Sequence, residues 1–175
     1  MKLNVLIAFL FLTSFLAMDP GTGLPGRKEK KEIARLWGES STVQLVEVKS
    51  SVKDSIILMM EWDEVFRIKL DDELKGFMLS TRTKGRFDYF DYALFYTKDL
   101  SVLKVLVTTY REDHGAAISN KGWLKQFSGY NGGKLLLGKD INAISGATIS
   151  ATSIVMDIQR CQQLMGTMKE LNLIE

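Results

Sequence analysis

One cysteine, one histidine and almost no excess of either charge leave this sequence few routes to chemistry of its own. Cys161 stands alone, so the chain forms no internal disulfide and no thiolate metal cluster, and cysteine usage leaves the redox compartment open. His114 sits in Arg-Glu-Asp-His-Gly, where a metal would need Glu112 and Asp113 as further ligands; sequence neighbours point in different directions, which argues against a converged site. A net charge of +2, with lysines and acids interspersed, offers no basic face for nucleic acid. The run SGYNGGK lacks the spacing of a phosphate-binding P-loop and any Ser or Thr after its lysine. No Ser-His-Asp arrangement follows from spacing, and Asp88 with Asp91 suits an exposed strand edge better than an acid/base pair. No catalytic residue and no metal ligand is therefore assigned, and there is no repeat.

What is present begins at the amino terminus. From Leu3 to Met18 only Asn4, Thr13 and Ser14 are polar, and Pro20, Gly21 and Gly23 follow. That layout reads as a signal peptide or membrane anchor over residues 1–23, short for a permanent span and without the cysteine that a lipoprotein anchor requires. Arg27, Lys28, Lys30 and Lys31 pull the opposite way under the positive-inside rule. The expectation is an exported protein, periplasmic or held on the outer side of the inner membrane through this segment, with one domain over residues 24–175.

Within that domain, GRKEKKEIARLWGESS predicts a short helix with Ile33, Leu36 and Trp37 on one face, Gly38 as its stop and its charges on a solvated side. Runs rich in β-branched and aromatic residues then begin at Val43, Ser55, Val65, Gly76, Phe87 and Val102 and predict strands joined by short turns. From Ile149 the period turns helical. Ile154, Val155, Ile158, Cys161, Met165 and Met168 form an apolar stripe, with Gln159, Arg160, Gln162 and Gln163 opposite. The fold class expected is α+β, a mostly antiparallel sheet flanked by helices and preceded by the N-terminal segment.

Where the chain turns into that last helix it reads Asn142-Ala-Ile-Ser-Gly-Ala-Thr148. The hydroxyls of Ser145 and Thr148 are suited to cap the first amides of the helix, Gly146 to adopt a positive φ, and Ala147 to add little bulk. The same free amides and helix dipole suit an anionic group such as a phosphate.

DINAISGATIS, together with YREDHGAAISNKGWLKQFSGYNGG and GFMLSTRTKGRFDYFDYAL upstream, resembles the FMN-binding domain of the C subunit of sodium-translocating NADH:quinone reductase and of the G subunit of the Rnf complex, and looks closest to small exported single-domain members of that family. The resemblance runs from about Leu74 to Ile158. It implies that Ser145, Gly146, Ala147 and Thr148 are the flavin-attachment motif, with Thr148 carrying FMN through a phosphoester made by a flavin transferase. The family aspartate falls on Asn142, which puts covalent attachment in question, with Asp140 placed to compensate if the segment is extended. Tyr110, Trp123 and Phe127 occupy recurrent family positions where rings could stack on the flavin, although Trp123 and Phe127 at i and i+4 equally describe one buried helix face. The implied function is electron transfer with a periplasmic or membrane redox partner, rather than stand-alone catalysis. The alternatives are a flavin-free binding module of the same fold and an FMN-dependent reductase.

Overall fold

The structure, a computed structural model, describes residues 23–49, 52, 56 and 58–174. The leader expected over residues 1–23 lies outside these, apart from its last residue. Among the described residues, no helix is long and apolar enough to cross a membrane.

A first helix, α1 (Arg27–Trp37), precedes five strands, β1 (Thr42–Leu45), β2 (Glu64–Leu70), β3 (Glu73–Lys84), β4 (Tyr89–Thr97) and β5 (Val102–Thr109). A 3-10 turn (Ala116–Ser119) and a one-turn helix α2 (Lys121–Leu124) follow, and the long helix α3 (Thr148–Glu170) closes the fold. Each strand pairs antiparallel with its neighbour in sequence, giving the order β1-β2-β3-β4-β5. The architecture is the expected α+β meander between helices. Asp71 and Asp72 both take positive φ, 52° and 61°, the conformation of a type I′ turn, and this tight hairpin starts β3 three residues before Gly76.

Alternation along the strands splits the core in two. Val65, Phe77, Leu79, Tyr92, Leu94, Val105 and Val107 face α3, where Ala151, Ile154, Val155, Ile158, Cys161, Leu164, Met165 and Met168 meet them. Phe66, Ile68, Met78, Ala93 and Phe95 point the other way and are covered by Ile33, Leu36 and Trp37 of α1. Both faces of the sheet are thus buried, which is why β4 reads as a nearly unbroken apolar run.

Three expectations need correction. The run from Ser55 to Trp62 is not a strand where it is described: Ile56 is buried, but the segment turns at Leu58 and again at Glu61–Trp62 and lacks a partner edge. The charged side of α1 is only partly solvated. Glu29 and Glu32 are each 6% exposed; Glu29 accepts from the Gly26 amide and the Ser80 hydroxyl, and Glu32 pairs with Lys104 at 2.5 Å. On α3 the supposed polar side is partly inward, with Gln163 alone of its four residues exposed. Gln162 is buried and donates to the Leu100 carbonyl at 2.9 Å, and Arg160 reaches Asp63, Asp157 and the Leu58 carbonyl.

Candidate functional site

The Ser-Gly-Ala-Thr corner lies where the sequence puts it, but it is built differently. Gly146 has φ +77°, a left-handed conformation that a side chain would strain, and it swings the chain into α3. The N-cap is Ala147, 4% exposed, and no side chain caps the helix. Thr148 is the first helical residue. Its hydroxyl has no hydrogen-bond partner among the described residues, and its carbonyl accepts from Thr152 at 2.9 Å. Ser145 is exposed and caps nothing. The expected hydroxyl caps are therefore absent, and the first-turn amides of a 23-residue helix stay open to an anion.

Thr148 lines a cleft of about 220 Å³ with Gly146, Ala147, Ile149, Ser150, Gly115, Arg86, Glu112 and His114. Three stretches distant in sequence meet here, and two side chains join them. Tyr110 donates to the His114 carbonyl at 2.9 Å and shares a hydrogen bond with the Ser150 hydroxyl at 3.1 Å, which ties the segment after β5 to the first turn of α3. Gly115 allows this approach: its φ is +86°, and a Cβ there would sit 2.5 Å from the Tyr110 hydroxyl. Glu112 joins the β3–β4 turn, accepting through Oε1 from the amides of Phe87 at 2.7 Å and Asp88 at 2.9 Å. These backbone donors, that of Asp88 foremost, hold its carboxyl below the usual glutamate range.

The remaining residues singled out in the sequence fall into place around this cleft. Tyr110 lines no open face; its ring packs on Phe90 at 5.4 Å between centroids while its hydroxyl makes the clasp. Trp123 and Phe127 are core residues, edge to face at 5.4 Å, and neither borders the cleft. Trp123 nevertheless acts on the loop, because its indole N–H donates to the Asn142 carbonyl at 2.6 Å. The Asn142 amide in turn donates to Gln126 at 2.9 Å, so the backbone of Asn142 is fixed while its side chain is exposed. Asp140 does not share an extended segment with it. Asp140 belongs to a turn and accepts from the Leu136 amide at 2.9 Å. Sequence reasoning gives Arg86, Glu112 and Ser150 no role at this site, although each lies inside a segment that carries the family resemblance and Glu112 is weighed only as a metal ligand.

A larger cleft of about 570 Å³ lies along the other half of α3, between Tyr130–Lys134 and Gln159–Lys169. Thr148 does not line it, and the helix rise puts Gln162 about 21 Å from Thr148. No group of three His, Cys, Asp or Glu residues among the described ones is placed to hold a metal.

No family model matches the chain, and no curated protein matches it either. Among solved structures, the crystal structure of Shewanella oneidensis NqrC is similar over 79% of this chain and 82% of that one, at 16% identity and a TM-score of 0.48.

Proposed function

We propose that this protein is an exported FMN carrier, with the flavin joined through its phosphate to Thr148 Oγ1, relaying electrons to or from a periplasmic or membrane partner. The observation that carries the reading is Thr148 itself: the last residue of Ser-Gly-Ala-Thr, exposed, its hydroxyl unengaged, at the uncapped start of a long helix. The residues present fit the phosphate end of such a group. Open first-turn amides and Arg86 border the cleft, Gly146 leaves open space where a side chain would stand, and backbone donors already engage the Glu112 carboxylate.

When bound, the flavin supplies redox chemistry able to link two-electron and one-electron partners. The chain supplies attachment and position. A cleft of about 220 Å³ falls below the roughly 300–1,000 Å³ of ordinary small-molecule pockets, so it favours holding a phosphate over enclosing a ring and a substrate together. That supports a carrier over an FMN-dependent reductase. Attachment would form the Thr148 Oγ1–P bond as the P–O bond to the leaving group of the transferase's flavin donor breaks, the hydroxyl proton passing to a base of the transferase and the leaving group departing with the bonding electrons.

The test is co-expression with an active flavin transferase. The full chain should gain the mass of FMN less one water, stay yellow after denaturation and show the addition on the peptide containing Thr148, and Thr148→Ala should abolish it. Flavin that washes off on denaturation would point to non-covalent binding; a colourless protein would favour the flavin-free module, for which Asn142 speaks. Export is tested separately by alkaline phosphatase fused after Glu175: activity is expected, and activity of a cytoplasmic reporter alone would refute it.

A further inference from the structure

The β3–β4 turn, Gly85 to Asp88, is built as a fixed arm that brings Arg86 to the edge of the cleft. Gly85 donates to the Asp88 carbonyl at 2.7 Å, closing the turn on itself. Glu112 enters beneath and takes the amides of Phe87 and Asp88, and it can do so only because residue 85 is glycine: a Cβ there would lie 2.4 Å from Glu112 Oε1 and 2.9 Å from the Asp88 carbonyl oxygen. The arm ends in Arg86, whose guanidinium lies 4.9 Å from the centre of the Phe87 ring and has no carboxylate partner among the described residues.

Among the titratable side chains of the cleft, the roles divide by what each already holds. Glu112 Oε1 is committed to two amides, and Oε2 lies 3.5 Å from the Tyr110 hydroxyl. His114 is held only through its backbone carbonyl, which accepts from Tyr110, and its ring is not a permanent cation. Arg86 is the one permanently cationic group of the three that is free of a carboxylate, and a guanidinium offers a fork of donors matched to phosphate oxygens. Its aromatic neighbour restricts where that fork can point.

We infer that Arg86 selects a phosphorylated flavin over an unphosphorylated one at this cleft, and that Glu112 is a positioning residue that acts through Arg86 by fixing the turn. The inference rests on the flavin reading but does not require the covalent bond. It is tested on the full chain expressed without transferase, by quenching of flavin fluorescence with free FMN and free riboflavin. The wild-type chain should bind FMN on the order of tenfold more tightly than riboflavin, the scale of one charge-assisted phosphate contact. Arg86→Gln should lower the ratio severalfold, leaving only what the first-turn amides contribute, and Arg86→Lys should restore part of it. Glu112→Ala should lower the ratio, whereas Glu112→Gln, which keeps an oxygen for the two amides, should largely preserve it. A purely structural Glu112 would instead lower the melting temperature of the alanine variant with the ratio intact. No preference for FMN in the wild type, or a preference unchanged in Arg86→Gln, overturns the inference. Selectivity for FMN in a chain that the transferase never loads would overturn the phosphoester and leave this assignment standing.

Discussion

Arg160 grips Asp63 with both terminal nitrogens, at 2.6 and 3.1 Å, across 97 residues of sequence. Asp63 is 4% exposed, and its carboxylate also accepts from Thr81 and from the Met60 amide, so α3 is bolted to the start of β2 through a buried charge. Burial works against the charge of Arg160, yet hydrogen bonds to Asp63 and Asp157 leave its pKa above that of a free arginine. Removing one partner strands the other. Arg160→Met should cost about 3–5 kcal/mol in urea unfolding, and adding Asp63→Asn should recover part of it. A single variant within about 1 kcal/mol of wild type would refute the role.

The two faces of the sheet give a paired prediction at adjacent residues. Val105 is 2% exposed and faces α3, whereas Leu106 is half-buried on the α1 side. Val105→Asp places an unpaired carboxylate in the larger core, at a cost of several kcal/mol, and should abolish soluble expression. Leu106→Asp should yield folded protein with a lower melting temperature. Equal yields would contradict the assignment of faces.

Thr148 and Asn120 separate an apparent cap from a real one. The Thr148 hydroxyl holds nothing, so Thr148→Ala should change stability by less than about 0.5 kcal/mol, which makes loss of flavin in that variant a loss of chemistry. Asn120 accepts from the amides of Gly122 and Trp123 at 2.8 and 3.1 Å. Asn120→Ala should therefore cost about 1 kcal/mol. Thermal unfolding of both variants decides, and a reversed ranking would refute the geometry.

The buried thiol predicts an alkaline limb. Cys161 is fully buried, and burial pushes its pKa well above the ordinary 9.0. The unfolded chain then ionises first, so this contribution is complete below about pH 9 and drains away as pH rises toward the folded value. Cys161→Ala should flatten the fall of stability above pH 9, and the native thiol should resist a disulfide reagent at pH 8 until urea unfolds the chain. Rapid labelling of the native protein would contradict its burial.

The meander was readable in the sequence because each strand carries its own dense run of β-branched and aromatic residues, and the short turns leave neighbours little choice but to pair. Ser55 to Trp62 has the same composition and misled for that reason, since composition does not reveal whether a partner edge exists. Arg160 was assigned to the solvent side because helical periodicity knows nothing of a carboxylate 97 residues earlier. At the site, the motif fixed where α3 begins, but whether Thr148 caps or merely follows the cap depends on a backbone angle at Ala147. Arg86 and Glu112 could not be assigned to one wall from the sequence, because a wall assembled from three distant segments has no local signature.

The delivery of α3 has a consequence for how the chain is made. Hairpins between neighbouring strands close over short loops and can form early, while residues 148–170 emerge only after all five strands. Until then the nascent sheet presents Val65, Phe77, Leu94 and Val105 bare to solvent, and Asp63 waits without its guanidinium. Synthesis thus passes through a stage with an open apolar face, the kind of surface that invites aggregation or a chaperone, and the docking of α3 ends it.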